Sequence, residues 1–155
     1  MDEPSQHNAY LTAHVNLLLD SYQRLTGRHL LDANLAGAAA AKAIFYAPFV
    51  VVSHNTADDP VFNYANQTAL ELFEMTWSDF TALASRQSAE APNQDERARL
   101  LAEVTANGFI DNYSGIRISR TGRKFFIQQA TVWNLVDAHG NDYGQAATFS
   151  HWRYL

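Results

Sequence analysis

The last third of the chain contains three segments typical of β-strands, separated by two short polar turns. The segments run from Phe109 to Ser119, from Lys124 to Val136 and from Tyr143 to Leu155. They are rich in aromatic and β-branched side chains, which favour strands, and Gly122 supplies the left-handed conformation that a tight turn needs. Strands joined by such short turns pair with their neighbours, so the sequence predicts an antiparallel meander.

Helical and strand segments alternate in the first two thirds of the chain. Residues 8–26 form an amphipathic pattern that Gly27 is placed to end. The sequence predicts a short helix or connector over residues 28–43 and two strands over residues 43–55 and 60–66. Two further helices are predicted over residues 68–74 and 91–107, with a short turn near Phe80 between them. We therefore predict an α+β fold: a five-stranded antiparallel sheet with helices packed on one face and an N-terminal amphipathic helix. Residues 1–42 are assigned to an N-terminal helical extension and residues 43–155 to the domain.

The long strand from Lys124 to Val136 has apolar residues on both of its faces. A strand with one solvated face would alternate more cleanly between apolar and polar residues. Both faces of the sheet are therefore expected to be covered. The middle helices would take one face, and the N-terminal helix or a second subunit would take the other, so a homodimer through residues 8–26 is the expected assembly.

The composition excludes several kinds of site. The 155 residues include no cysteine and carry a formal net charge of −5. Without cysteine there is no thiolate nucleophile, thiolate-bound zinc or flavin–cysteine adduct, and an acidic chain is not expected to bind nucleic acid. No apolar run approaches the roughly 20 residues of a membrane span, and no secretion signal begins the chain. We expect a cytoplasmic protein that binds neither membranes nor nucleic acid.

The segment from Asp58 to Phe80 passes from a turn through a short strand into a helix. Its residues Asp59, Pro60, Val61, Tyr64, Asn66, Ala69 and Leu70 resemble the turn–strand–helix motif of PAS domains. Asn66 is well suited to cap the helix that Leu70 and Phe73 anchor. The turn from Asp137 to Gly140 also resembles the turn between the last two PAS strands.

A narrower resemblance covers most of the chain. The stretches "LLLDSYQRLTGRHLL", "APFVVVSHNTADDPVFNYANQTALELFEM" and "QAATVWNLVD" resemble the bacterial MEKHLA-domain proteins, a PAS-like family related to the C-terminal domain of plant homeodomain–leucine zipper regulators. The resemblance implies a sensory or interaction module that binds a small molecule or a protein partner. Neither a homeodomain nor a zipper is present in this sequence, so DNA binding is not implied.

In PAS-like domains ligands lie between the inner face of the sheet and the middle helices, so strand orientation selects the candidate residues. The chain can be aligned with ligand-binding PAS domains at the Asp137 turn. In this alignment the inward-facing residues of the fourth strand are Phe126, Gln128, Ala130, Val132 and Asn134. Those of the last strand are Gln145, Ala147 and Phe149. A shift of one residue would present instead Phe125, Ile127, Gln129, Thr131 and Trp133. Gln128 and Asn134 would either orient a ligand or hydrogen-bond to helix backbone or water. With Phe73 on the helix side, the pocket candidates are Phe126, Gln128, Val132, Asn134, Ala147 and Phe149.

Arg117 is a further pocket candidate with two possible orientations. It alternates with Ile116 and Ile118, which predicts that it faces solvent or a partner. If the strand instead matches flavin-binding PAS domains, Arg117 points inward and could pair with an anionic ligand.

Other kinds of chemistry find little support in the sequence. None of the six histidines lies between Thr68 and Asn107, where a heme-binding PAS helix would carry the axial ligand, so heme is not expected and no cofactor is assigned. His54 with Asp58 and Asp59 has no metal-ligand spacing. An enzyme of isomerase or hydrolase type is the alternative function, with Asp111 or Glu103 as its base. The adjacent pairs Ser53–His54 and Ser150–His151 point to opposite faces of a strand and form no dyad.

Overall fold

The computed structural model describes residues 2–155, apart from the side chain of Pro92. Five α-helices are formed by α1 Thr12–Thr26, α2 Gly37–Phe45, α3 Gln67–Phe73, α4 Trp77–Phe80 and α5 Ala91–Asn107, and 3-10 turns occupy Gln6–Leu11 and Ser85–Ser88. Six strands are formed by β1 Val50–His54, β2 Phe62–Ala65, β3 Phe109–Ile118, β4 Lys124–Val136, β5 Asp142–Phe149 and β6 His151–Tyr154. None of the helices in residues 2–155 is both long and apolar enough to cross a membrane.

The strands form one antiparallel sheet in the order β2-β1-β5-β4-β3. The predicted last strand divides at Ser150 into β5 and β6, and both parts pair with β4. The predicted α+β sheet with helices is therefore confirmed, with β6 as a sixth strand that continues the line of β5. Helix α2 runs through the residue pair 42/43 that separates the predicted extension from the predicted domain, and that division stays a prediction.

Both faces of the sheet are covered by helices of the same chain. On one face Phe125 packs against Phe73 of α3, with ring centroids 5.2 Å apart. On the other face Trp133 packs against Tyr22 of α1, with ring centroids 5.0 Å apart. The apolar stripe of α1 is completely buried at Val15 and Leu18. The N-terminal helix thus covers the outer face of its own sheet, and homodimerisation through residues 8–26 stays a prediction.

Polar contacts join α1 to the sheet at both of its ends. The Trp133 indole N–H donates to the Ser21 hydroxyl at 3.0 Å, and Arg24 donates to the Val136 carbonyl. Near the start of the helix His14 Nε2 lies 2.9 Å from the Ser53 hydroxyl of β1. Because that hydroxyl donates to Asn63, His14 is the donor in the His14–Ser53 pair. These directional contacts fix the position of α1 more specifically than apolar packing alone.

Asn66 is the joint between the strand β2 and the helix α3. Its side-chain oxygen accepts from the Ala69 amide at 3.2 Å, which confirms the predicted helix cap. The same oxygen accepts from the Val51 amide of β1, and its NH2 group donates to the carbonyls of Ile44 and Phe49. All polar atoms of this fully buried side chain are therefore satisfied, and the residue connects α2, β1 and α3.

A β-bulge interrupts the alternation of side chains along β4. Ile127 pairs with Gly115 of β3 and Ala130 pairs with Tyr113, so β4 has one residue more than β3 in this interval. The extra residue is accommodated by Gln129, which adopts a positive φ of 55°. Beyond a bulge of this kind, odd-numbered and even-numbered residues exchange faces of the sheet. Residues before and after the bulge therefore cannot be assigned to faces by a single period of two.

The half-buried His14 predicts a pH-dependent stability. Burial lowers the pKa of His14 from 6.5 to about 4, so between these values the unfolded state binds a proton that the folded state excludes. Stability is then fully present above about pH 6.5 and falls, by up to roughly 3 kcal/mol, as the pH drops toward 4.

Urea unfolding at a series of pH values tests this expectation. His14→Gln should reduce the decline between pH 6.5 and 4, leaving the part that the buried His54 contributes, whereas His139→Gln in an exposed turn should leave it unchanged. A decline of the same slope in the wild type and in His14→Gln would contradict the role of His14.

Gly144 permits a close approach of two backbones beside the end of β1. A Cβ atom at this position would lie 1.8 Å from the carbonyl oxygen of His54, and its φ is +125°. Gly144→Ala should therefore destabilise the protein by about 3 kcal/mol in urea unfolding. Gly122→Ala is the matched control, because φ is +87° there but nothing lies within 4 Å, so it should cost only about 1 kcal/mol. Equal losses in the two variants would show that the contact with His54 does not matter.

Candidate functional site

A cavity of about 60 Å³ lies between the sheet and the helices α3 and α5. Most of its wall is apolar and consists of Val52, Phe62, Phe73, Leu100, Leu101, Ile127, Ala130, Val132, Ala146, Ala147 and Phe149. The polar residues in the wall are Ser53, His54, Ser88, Arg97, Tyr113, Arg117 and Gln145. Among the residues that the structure describes, the wall thus contains two arginines and no aspartate or glutamate.

The bulge decides which of the predicted residues reach the cavity. Val132, Ala147 and Phe149 line it as predicted, opposite Phe73 of α3. The predicted inward orientation of Phe126 and Gln128 is wrong, because before the bulge Ile127 occupies the inner face. Phe126 instead contacts the Arg153 guanidinium of β6 on the outer face, 5.1 Å from its ring centroid.

The alternative strand orientation is correct on one side of the bulge only. Its members Phe125 and Ile127 face the helices, while Gln129 is exposed and Thr131 and Trp133 face α1 and its surroundings. Before the bulge, the inner face of β4 is therefore formed by Phe125 and Ile127 of the alternative set. After the bulge, it is formed by Ala130 and Val132 of the first set.

Asn134 and Gln145 attach the second half of α5 to the sheet. Asn134 donates to the Val104 carbonyl at 3.0 Å. The Gln145 NH2 group donates to the Leu101 carbonyl, the Thr105 hydroxyl and the Asn134 oxygen at 3.0–3.1 Å. For Asn134 the observed contacts are those of the second alternative, a hydrogen bond to helix backbone. A direct role of Asn134 in ligand binding stays a prediction without a contact that favours it.

Arg117 points into the cavity and not to solvent. Only 7% of its surface is exposed, and its guanidinium donates to the Tyr113 hydroxyl at 3.1 Å and to the Ile116 carbonyl. The expected outward orientation is wrong because the isoleucines, and not the arginine, lie on the outer face of β3. The Tyr113 hydroxyl donates in turn to Glu96 of α5 at 2.8 Å. Arg117 therefore reaches a carboxylate only through a tyrosine.

Gly115 provides the space in which this arginine and tyrosine meet. It lies between them on the same face of β3, and a Cβ atom there would be 2.3 Å from the Tyr113 hydroxyl and 3.1 Å from Arg117 Nη1. Both distances are too short for ordinary contacts. The absence of a side chain at residue 115 is therefore a requirement for the observed arrangement.

Arg97 of α5 is the residue that the sequence analysis missed. It lines the cavity with 8% of its surface exposed, and within residues 2–155 it has no hydrogen bond or ion pair. Burial and, to a smaller extent, the charge of Arg117 lower its pKa to about 10. A signal was available, because Arg97 precedes Leu100, Leu101 and Val104 at helical spacing and thus belongs to the apolar face of the helix.

His54 contributes a second buried polar group to the cavity wall. Its Nδ1–H donates to the Asn55 carbonyl at 2.9 Å, and its buried Nε2 has no hydrogen-bond partner in residues 2–155. Gln145 lines the same cavity. Burial, followed by smaller effects that include the charge of Arg97, lowers the pKa of His54. The imidazole is therefore neutral near pH 7.

The two carboxylates considered as a catalytic base, Asp111 and Glu103, lie apart from the cavity, whereas Ser53 and His54 belong to its wall. Asp111 forms a two-bond ion pair with Arg28 at 2.8 Å on the outer face, and these hydrogen bonds lower its pKa. Glu103 is exposed on α5. The Ser53 hydroxyl contacts His14 and not His54. The part of the chain that the structure describes contains no group of three or more potential metal ligands.

A sheet with helices that enclose a small cavity defines a PAS-like domain, and solved structures support this class. A PAS domain from Colwellia psychrerythraea superimposes with a TM-score of 0.62 at 11% identity, over 74% of this chain and 92% of that domain. A light-oxygen-voltage domain studied with a flavin analogue gives a TM-score of 0.57 at 18% identity, over 74% and 83% of the two chains.

The sequence defines the family more narrowly. Residues 12–154 match the MEKHLA domain, and the chain belongs to the MEKHLA domain family. The homeobox-leucine zipper protein ATHB-9 of Arabidopsis thaliana is 27% identical over 103 residues, which are 66% of this chain and 12% of that protein. HOX29 of Oryza sativa subsp. indica is 23% identical over 89% of this chain and 16% of its own length. The chain thus spans less than a fifth of these relatives, and the predicted family is confirmed.

The unpaired charge of Arg97 should reduce stability. A buried cation without a partner is unfavourable, so Arg97→Met is expected to raise the free energy of unfolding by about 1 kcal/mol or more. Arg99→Met on the exposed side of α5 is the matched control and should change it by less than about 0.5 kcal/mol. Urea unfolding measures both values. A loss of stability in Arg97→Met would show that the guanidinium supports the fold.

Proposed function

We propose that this MEKHLA domain is a sensory module that binds a small molecule in the cavity between its sheet and α5. The observation that carries the proposal is Arg97, a buried cation in a mostly apolar wall without a partner in the described chain. Ordinary cores avoid such groups, because burying an unpaired charge costs several kcal/mol. Sites that break the rules of core packing are typically functional, and a ligand would supply the missing partner.

The cavity has the composition of a small binding site. Apolar side chains form most of its surface, and a few polar groups could fix the orientation of a ligand. The cavity of about 60 Å³ is well below the roughly 150 Å³ of a protein cavity that accepts benzene, so only a ligand of a few non-hydrogen atoms fits. A small metabolite fits this space better than a large cofactor.

Strand β1 offers a route from the cavity to α1. Val52 and His54 line the cavity, while the hydroxyl of Ser53 between them contacts His14 on the opposite face of the sheet. Trp133 similarly follows the cavity residue Val132 and binds Ser21 of α1. A ligand that shifts β1 or β4 would change these contacts, so we assign the output of the module to α1. A protein partner or a second copy of the chain would then read the exposed side of that helix.

A fragment titration followed by ¹⁵N NMR tests the proposal. Compounds of a few non-hydrogen atoms should shift the amide signals of Val52, Val132 and Ala147, and those of His14 and Ser21 should follow. Ala147→Leu should abolish the shifts because the larger side chain fills the cavity. Ala98→Leu, the same change on an exposed position of α5, should leave them unchanged.

Two results would overturn the sensory proposal. One is the absence of cavity shifts for every compound. The other is shifts that persist in Ala147→Leu while circular dichroism shows that the variant is folded, because binding would then take place elsewhere.

A further inference from the structure

We infer that the ligand of this cavity is a short-chain monocarboxylate, held at its charged end by Arg97 and Arg117. The inference rests on the proposed small-molecule function and adds the chemical class of the ligand. It is carried by the charges around the cavity, by the cavity volume and by the distribution of apolar side chains.

The charged groups around the cavity leave one positive charge without a compensating negative charge. Two arginines line the wall, and none of the carboxylates in residues 2–155 does so. Arg117 is connected to Glu96 through the Tyr113 hydroxyl, which accepts from the arginine and donates to the carboxylate. Arg97 has no such connection within residues 2–155. A monovalent anion would complete the balance, whereas a divalent anion would leave an unpaired negative charge in a buried site.

The form of the two arginines favours a carboxylate. Guanidinium groups present N–H donors in a planar fork that matches the two oxygens of a carboxylate. Arg117 uses Nη1 and Nη2 for the Ile116 carbonyl and the Tyr113 hydroxyl and has further N–H groups available. The described chain leaves all donors of Arg97 unused. Two guanidinium groups can thus bind one carboxylate from two sides.

The remainder of the wall predicts an apolar tail of limited length. Phe73, Ile127, Val132 and Phe149 offer only hydrocarbon surface to a ligand. A volume of about 60 Å³ admits only a few non-hydrogen atoms in total. Once a carboxylate is placed at the arginines, an alkyl group of one or two carbons fills the rest, as in acetate or propionate.

Isothermal titration calorimetry at neutral pH, with the whole chain and a constant chloride concentration, tests the inference. Propionate should bind, and its neutral isostere propionamide should bind at least about tenfold more weakly, because it cannot compensate the buried charge. Arg97→Gln should weaken propionate binding by at least about tenfold. Arg99→Gln, on the exposed side of the same helix, should leave the affinity unchanged.

The outcomes separate this inference from the proposed function. Equal binding of propionate and propionamide, abolished in both cases by Ala147→Leu, would overturn the anionic ligand while the small-molecule function stands. Binding of sulfate or chloride that equals binding of propionate would overturn the carboxylate. If neither propionate nor any fragment of the NMR titration binds, both proposals fail. Circular dichroism and urea unfolding verify that each variant is folded.

Discussion

The bulge at Gln128 and Gln129 is the constraint on which the rest of this structure depends. It places Ile127 before it and Ala130 after it on the same inner face, so β4 can line the cavity along its length and still offer Trp133 to α1. The extra residue also lies where the partner strand changes from β5 to β6. A regular strand would bury one of the two glutamines under the helices or turn Trp133 away from α1.

Local signals in the sequence suffice for most of the fold and for part of the site. Strand and helix segments, the cap at Asn66 and the inner positions of Phe73, Val132 and Phe149 follow from composition, alternation and the family resemblance. The bulge does not follow, because Gln129 adopts a positive φ without the glycine that would mark it. The outward orientation of Arg117 was preferred to the inward one for a related reason: alternation identifies two faces of a strand, but the more apolar face of β3 is the outer one. Arg97 follows the same helical spacing as its leucine neighbours. Because a charged residue is not expected on the buried face of a helix, this spacing did not identify Arg97 as a buried residue.

Two kinds of buried polar group coexist in this molecule, and they differ in their partners. Every donor and acceptor of the Asn66 side chain has a partner within the fold. The Trp133 indole N–H likewise has a partner, the Ser21 hydroxyl. These groups specify one arrangement of helices on the sheet. The Nε2 atom of His54 has no such partner among the described residues, and Arg97, whose surface is 8% exposed, forms no hydrogen bond or ion pair with them. Stability and the proposed binding role are thus assigned to different parts of the same core, a division typical of proteins that keep a strained site on a rigid scaffold.

Gly115 makes the cavity sensitive to a substitution outside its own wall. Any side chain at residue 115 would displace Tyr113 and Arg117 from their present positions. Both of these residues line the cavity, so its polar wall would change with them. Under the proposed function, Gly115→Ala would therefore alter ligand binding although residue 115 is not among the described residues of the wall.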